Sequence, residues 1–307
     1  MSKNKRFKKP EAVDMLTPDR ESTRINWFPG HMNKALKKIK ERMKMVDIVL
    51  ELRDARSPLA TGNMALRNIL GEKTKLILIN KTNLADPKII AQWDKWFATK
   101  SDPYLFINAF DKRSINEIVS KSLKVVNEKI KISNPENEGK KKLKMMIIGL
   151  PNTGKSTIIN RLASRNATKV ADKPGQTQHQ LWVKIDENFE ILDTPGVMYP
   201  DVKSHEQGLW LSALHTIPDR IAGTEAIACF IVEHLLKNNP KVLESKYGID
   251  TDGLSMNETL DKIAAKRGCI LQKGEFDYDR TFAVVIGDFR KSELGPISFG
   301  VPPQIKT

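Results

Sequence analysis

The sequence predicts an α/β protein with a six-stranded, mostly parallel sheet, followed by a smaller helical domain. Short apolar runs alternate with segments of helical periodicity as far as residue 192, which is typical of parallel strands joined by crossover helices. One apolar run leads directly into a glycine-rich loop, and strand signals mostly fade after about residue 203. We therefore expect two folded domains, residues 25–203 and 204–307, preceded by a basic, disordered tail, residues 1–24.

Before the first predicted strand, residues 32–45 have the pattern of an amphipathic helix. Its apolar residues share one face, and its lysines lie mostly off that face, where they are either solvated or in contact with RNA. Six apolar runs predict strands, at 47–54, 75–80, 104–108, 145–149, 181–185 and 189–192, the last two as an antiparallel pair. Other segments predict helices within 86–100 and at 114–130, a flexible connection at 131–144, and C-terminal helices at 219–238, 240–247, 256–267 and 277–290.

The formal net charge of +14, from 51 Lys and Arg against 37 Asp and Glu residues, indicates a polyanionic partner, most simply nucleic acid. An anionic membrane surface is the weaker alternative, because no segment resembles a membrane-surface helix. No apolar run approaches the ~18 residues of a membrane span, and the basic N-terminus lacks the apolar part of a signal peptide. Cys229 and Cys269 lie far apart among apolar neighbours, which predicts buried thiols in a reducing compartment. We expect a cytoplasmic protein without a membrane partner.

The glycine-rich loop GLPNTGKS, residues 149–156, fits the phosphate-binding pattern GxxxxGK[ST] between a buried strand and a helix. Its glycines allow backbone N–H groups to wrap phosphates, and the following helix N-terminus adds a favourable dipole. Lys155 is expected to reach the β- and γ-phosphates, and Ser156 to bind Mg²⁺. The remaining nucleotide-binding residues expected here are Asn152, Thr153, Gly154 and Thr157.

A second motif, Asp193-Thr-Pro-Gly196, follows the last apolar run. A carboxylate at a strand end suits a Mg²⁺ contact, and the backbone N–H of Gly196 suits the γ-phosphate. Thr177 lies between this motif and the phosphate loop, and we expect it to close on Mg²⁺ when a γ-phosphate is present. Together these residues have the layout of a P-loop GTPase.

A third motif, Asn80-Lys81-Thr82-Asn83, ends a strand at the edge where open α/β sheets bind ligands. Asn80, Lys81 and Asn83 are expected to read a guanine base. After the next strand, in the loop at Asn108 and Ala109, a backbone N–H is expected to meet the guanine O6 atom.

In ordinary GTPases the base-reading motif follows the phosphate loop, whereas in this chain the base-reading motif comes first. All the usual pieces are present in rotated order, which predicts a circular permutation. Such a permutation is tolerable because chain termini in compact domains often lie close together. It also lets the segment after Gly196 lead almost directly into the C-terminal domain.

The chain resembles the circularly permuted ribosome-biogenesis GTPases of the YlqF/RbgA type over roughly residues 25–300. The resemblance rests on WFPGHM, DARSP, NKTN, GLPNTGKS, PGQT and DTPG in that order, and on a C-terminal stretch at 267–295. It implies a GTPase that acts late in assembly of the bacterial large ribosomal subunit and is stimulated by that particle. It also implies that the C-terminal helical domain contacts ribosomal RNA, and we expect a monomer.

Many GTPases orient the attacking water with a glutamine directly after the DxxG motif, but Val197 stands there and cannot form a hydrogen bond. The resemblance assigns this role to His31, which from the sequence alone could equally cap the helix near Met32. Lys155 and Thr177 complete the expected catalytic set. Asn152 resembles an asparagine that helps to hold K⁺ in potassium-stimulated GTPases.

Asn83 departs from the usual motif, which has an aspartate in that place. Asn83 can accept only one of the two hydrogen bonds that a guanine donates, and Asp86 is a conceivable substitute. Two other functions stay open from the sequence alone. One is an RNA-binding assembly factor with a structural nucleotide, and the other is a P-loop NTPase unrelated to ribosomes.

Overall fold

The structure, a computed structural model, describes residues 37, 39–62, 70–164, 182–194, 202 and 204–304. Its sheet has six strands: β1 (Ile48–Asp54), β2 (Lys75–Asn80), β3 (Tyr104–Phe106), β4 (Leu143–Gly149), β5 (Trp182–Lys184) and β6 (Phe189–Leu192). The strand order is β3-β2-β1-β4-β6-β5, and every neighbouring pair is parallel except β5 with β6. The α/β class and the antiparallel pair are therefore confirmed.

The register of the central strands determines which residues share an edge of the sheet. Asp54 at the end of β1 is paired with Asn80 at the end of β2, and Leu52 is paired with Gly149 at the end of β4. Because these strands are parallel, all three carboxyl ends meet at one edge. The strand that ends in Asn80 and the strand that precedes the phosphate loop flank the same central strand.

Among the helices that the structure describes in full, three accompany the sheet: α1 (Pro87–Ala98), α2 (Lys112–Ser133) and α3 (Lys155–Ser164). Asp86 caps α1 by accepting the backbone N–H of Lys88 at 2.7 Å, and proline at the first helical position needs no N–H partner. Helix α2 runs to Ser133, three residues beyond its predicted end. The predicted flexible connection at 131–144 is thus wrong at both ends, since β4 begins at Leu143.

Alternate residues of β1 pack into separate cores on the two faces of the sheet. Ile48, Leu50 and Leu52 join a cluster that includes residues of α2 and α3, whereas Val49 lies in a second cluster with Ile39. Central parallel strands that are buried on both faces read as continuous apolar runs, which is why their sequence signal is strong.

The second compact unit consists of helices, and its described residues are 204–213 and 218–295. The helices are α4 (His205–Ala213), α5 (Asp219–Ala222), α6 (Thr224–Asn238), α7 (Pro240–Tyr247), α8 (Met256–Arg267) and α9 (Tyr278–Arg290). Helix α8 begins with a capping box between Ser255 and Glu258. Both cysteines are buried free thiols, as predicted, and burial raises the pKa of Cys229 to about 12.

Residues 296–304 contain no helix or strand and belong to the sheet unit, although we assigned all of 204–307 to the helical domain. The backbone N–H of Ile297 donates to the Leu84 carbonyl at 3.0 Å, and that of Phe299 donates to the Arg56 carbonyl at 2.6 Å.

Across the described ranges, no helix combines the length and the apolar character that crossing a membrane requires.

Candidate functional site

The phosphate-type loop connects β4 to α3 and depends on two of its glycines. Gly154 has φ +107°, and a Cβ there would run into the side-chain amide of Asn80. A Cβ on Gly149 would lie 2.7 Å from the Leu52 carbonyl oxygen of the neighbouring strand. Any larger residue at either position would push the loop away from the adjoining strands.

Lys155, the first residue of α3, is buried under this loop. Its ammonium donates to the carbonyl oxygens of Gly149 at 3.1 Å and Leu150 at 2.8 Å. Burial lowers the pKa of Lys155 to about 8, while the negative charge of Asp193 opposes that shift. Asp193 is itself exposed at the end of β6, and the hydroxyl of Thr194 donates to the Ile147 carbonyl and fixes the chain there.

Asn80 joins the phosphate-type loop to the loop at 108–109. Its side-chain amide donates to the Thr153 carbonyl at 2.9 Å, and its side-chain oxygen accepts the Ala109 backbone N–H at 3.1 Å. The side chain is buried, so the loss of either hydrogen bond would destabilise the folded state.

The same contact changes our expectation for the 108–109 loop. The Ala109 N–H that we expected to meet a base is engaged by Asn80, and the next N–H, of Phe110, donates to Asn108 Oδ1 at 3.0 Å. Asn108 therefore shapes this turn through its side chain. A base at this edge would have to share these donors with two asparagine side chains.

A buried ion cluster under the site was missed by the sequence analysis, which quoted DARSP only as a family motif. Asp54 accepts from Arg56 Nε at 3.0 Å and Nη2 at 2.8 Å, and its Oδ2 lies 3.0 Å from Lys81 Nζ. Lys81 also donates to the Asn152 carbonyl of the phosphate-type loop at 2.6 Å. Burial alone would raise the pKa of Asp54, but the charges of Arg56 and Lys81 outweigh it and hold that pKa well below its usual range.

Two asparagines in the site have free oxygens within the described part of the chain. The Asn152 amide nitrogen donates to the His215 carbonyl, and no described residue donates to its Oδ1 atom. Asn83 is exposed in a 3₁₀ turn, Thr82–Leu84, and its side chain has no hydrogen bond to a described residue. Asp86 cannot stand in for an aspartate at position 83, because it caps α1.

Ser156 and Asp193 are both exposed and both offer oxygen atoms, the ligand type that Mg²⁺ prefers. Thr157 is half-buried one position further into α3. Among the residues that the structure describes, no cluster of three His, Cys, Asp or Glu side chains could hold a metal by itself. His31, Thr177, Gly196 and Val197 lie outside the described residues.

Comparisons with known proteins agree on one family. A family model described as a 50S ribosome-binding GTPase matches residues 144–267. Ribosome biogenesis GTPase A of Bacillus pumilus is 37% identical to this chain over 278 residues, which is 91% of this chain and 99% of the relative. The protein of that name from Thermotoga maritima is 29% identical over 282 residues, covering 92% and 96%. GNP-bound YlqF from T. maritima has a TM-score of 0.62 at 25% identity, covering 89% of this chain and 100% of that one.

Replacing Asp54 with asparagine should destabilise the chain by about 3–5 kcal/mol near pH 7, because it leaves Arg56 and Lys81 beside each other without a buried counter-charge. The pKa of Asp54 is depressed in the folded state. Its contribution is therefore present above the unfolded pKa of about 4 and is lost as pH falls toward the folded pKa.

Urea unfolding of the wild type and of Asp54→Asn from pH 7 down to pH 3 would measure this contribution. The difference in unfolding free energy should be constant above about pH 5 and should shrink below about pH 4. Asp252→Asn, at an exposed position whose side chain has no described partner, is the matched control. A difference of less than about 1 kcal/mol at pH 7 would contradict the role of Asp54.

Proposed function

The chain belongs to the ribosome biogenesis GTPase A family, of the YlqF/RbgA type, and from that premise we propose how this GTPase acts. It hydrolyses GTP late in assembly of the bacterial large ribosomal subunit, and its partners are the precursor particle and the ribosomal RNA in that particle. The observation that carries the proposal is the meeting of Asn80 and Lys81 with the backbone of Thr153 and Asn152. A base-reading strand end and a phosphate-binding loop thereby form one nucleotide site.

We assign the phosphates to the loop at 149–156. The backbone N–H groups of Thr153, Gly154 and their neighbours cradle them, and the buried Lys155 supplies a positive charge to the β- and γ-phosphates. Ser156, Thr177 and Asp193 would hold Mg²⁺, which neutralises charge on the phosphates when bound. The DxxG motif assigns the backbone N–H of Gly196 to the γ-phosphate, which it would contact when GTP is bound.

The base lies at the loops that follow β2 and β3. Lys81 is held in a left-handed backbone conformation with φ 66°, and its ammonium is fixed between Asp54 and the Asn152 carbonyl. Its methylene stem and the loop at Asn108 and Ala109 would border the base. Asn83 would face the edge of the base that carries N1.

We assign the water-orienting role to His31 on the family resemblance, and Val197, which cannot form a hydrogen bond, leaves that role open. We propose K⁺ as an additional cofactor, since Asn152 Oδ1 accepts no hydrogen bond from a described residue and an amide oxygen suits a hard cation. We propose a monomer that works in the cytoplasm, where ribosomes assemble.

The assignment of RNA binding to the helical unit rests on the family resemblance alone. Residues 204–295 contain 11 Lys and Arg against 14 Asp and Glu, so this unit is acidic although the whole chain carries +14. The excess positive charge that indicated an RNA partner must lie elsewhere in the chain.

GTP turnover with and without large-subunit precursor particles tests the proposed function. Wild type should release phosphate over many turnovers and faster with particles, whereas Lys155→Ala should bind GTP at least about a hundredfold more weakly, because its charge-assisted hydrogen bonds to phosphate are removed. Lys237→Ala, a surface change in α6, is the control and should behave as wild type. Binding without turnover would favour a structural nucleotide, and turnover indifferent to particles would favour an NTPase unrelated to ribosomes.

His31→Ala should leave GTP affinity within about twofold and lower the particle-stimulated rate about a hundredfold, the usual effect of losing a general acid–base or positioning group. Single-turnover hydrolysis on saturating particles measures this rate directly. A rate unchanged from wild type would return His31 to the capping role.

Asn83→Asp should tighten GTP binding about tenfold to a hundredfold. An aspartate accepts from both N1–H and the 2-amino group of guanine, and charged hydrogen bonds are worth roughly 1.5–3 kcal/mol, about twice neutral ones. Xanthosine triphosphate should show the opposite preference, because its C2 carbonyl can accept from the Asn83 amide. Titrating both nucleotides against both proteins decides the matter: equal GTP affinities with no xanthine preference would mean that Asn83 does not face the base.

A further inference from the structure

Four lysines gather at the edge of the sheet opposite the candidate nucleotide site. We call this group, Lys73, Lys129, Lys140 and Lys144, the lysine edge. Lys73 precedes β2 and Lys144 is the second residue of β4, and both strands run parallel, so both lysines lie at the amino ends of strands. The nucleotide residues follow the carboxyl ends of the same strands.

Asp47, just before β1, is the anchor of this edge. Its carboxylate accepts the Lys144 backbone N–H at 2.8 Å and forms an ion pair with the Lys140 ammonium, while its own N–H donates to the Lys144 carbonyl at 2.7 Å. The Lys129 ammonium donates to the Glu72 carbonyl, which brings helix α2 to the same place.

The loop that carries Lys140 is fixed in position. The side chain of Asn127, on α2, accepts the Lys140 N–H at 2.7 Å and donates to the Lys140 carbonyl at 3.1 Å. Gly139 has φ +85°, and a Cβ there would lie 2.8 Å from Asn127 Oδ1. Glycine is therefore required for the two hydrogen bonds between Asn127 and Lys140. Preorganised charges lose less conformational entropy on binding than charges on a free loop.

Around Lys73, positive charge exceeds negative charge. Burial and the charges of Lys140 and Lys129 lower the pKa of Lys73. Among the described residues, Asp47 is the one carboxylate that acts on Lys73, and its charge opposes this shift. Residues 112–144 hold 10 Lys and Arg against 4 Asp and Glu. Lys129, Lys140 and Lys144 are exposed, so an arriving anion can reach them, and the Lys144 ammonium lies 5.4 Å from the centroid of the Trp182 ring.

We propose that the lysine edge is an RNA-docking surface, which binds the phosphate backbone of ribosomal RNA. The identity of the RNA rests on the proposed function, whereas the location of the docking surface does not. A phosphate backbone fits because it relieves the crowding of like charges and needs no apolar contact. A membrane surface fits less well, because membrane-surface helices also need an apolar face, whereas the exposed apolar residue on α2 is the single Ile132.

The test removes charge without reversing it, so that Asp47 is not left facing new carboxylates. The variant is Lys129→Gln/Lys140→Gln/Lys144→Gln. Its control, Lys237→Gln/Lys266→Gln/Lys273→Gln, removes three exposed lysines from the helical unit and gives the same net charge. The probe is an in vitro transcript of large-subunit ribosomal RNA, titrated at several salt concentrations.

The lysine-edge variant should bind the transcript about tenfold or more weakly at physiological salt. Its slope of log K against log salt is negative and should become shallower by about 0.9 for each phosphate that the variant no longer neutralises, up to nearly 3. The control should stay within about twofold of wild type. Equal losses in the two variants, a larger loss in the control, or no RNA binding by wild type would overturn the proposal.

Two further measurements separate this proposal from its neighbours. GDP binding and basal GTP hydrolysis should be unchanged in both variants, because none of the six lysines belongs to the nucleotide site. If the wild type itself neither binds GDP nor hydrolyses GTP, the proposed function fails, while the result on RNA binding still stands. Phosphatidylserine vesicles should bind the lysine-edge variant and wild type equally. A loss of vesicle binding without a loss of RNA binding would assign the surface to membranes instead.

Discussion

A single buried carboxylate, that of Asp54, holds the candidate site together. A buried charge is tolerated only when it is paired and hydrogen-bonded, and here Arg56 and Lys81 satisfy it from two directions. Lys81 is thereby fixed where its ammonium also reaches the carbonyl of Asn152. The strand end that we assign to the base and the loop that we assign to the phosphates are thus joined through one ammonium, although Lys81 and Asn152 lie 71 residues apart in the chain. The contact between Asp54 and Lys81 matters less for net stability than for geometry, since a misplaced Lys81 would still leave Asp54 paired with Arg56.

The reversed order of motifs is harmless because strand register, not chain order, assembles this edge. β1 lies between β2 and β4 and pairs in parallel with both, so Asp54, Asn80 and Gly149 come together whichever strand is made first. Asn80 then bridges to Thr153 and Ala109, so the third loop is joined by the same side chain. What the permutation does change is the path of the chain after Asp193, which now continues toward the helical unit. Ordinary GTPases lead from that point into another strand of the sheet.

The sequence predicted what is encoded locally. Buried parallel strands are apolar throughout, and a phosphate loop needs glycines at fixed spacing, so the six strands and GLPNTGKS were accessible from short windows. Contacts between distant residues were not. The pairing of Asp54 with Lys81 depends on register, and the engagement of the Ala109 N–H depends on a rotamer of Asn80. The end of α2 was missed because its last three residues, 131–133, are all exposed, including the apolar Ile132, so the burial periodicity gave no signal there. The acidic balance of residues 204–295 needed only a count by region, which the total of +14 conceals.

The distribution of charge within the sheet unit has a physical logic. Guanine nucleotides and RNA both present phosphates, so a single basic surface would let one compete with the other for Lys155. Strand β4 has seven residues between the two edges, about 23 Å at 3.3 Å per residue. That distance is more than twice the screening length of about 8 Å at physiological ionic strength. Exposed charges at the two edges are therefore largely screened from each other, although the buried Lys155 is screened less than they are. RNA phosphates bound at the lysine edge would thus act only weakly on the nucleotide through the solvent, and a strong coupling between the two ligands would need a change in the protein itself.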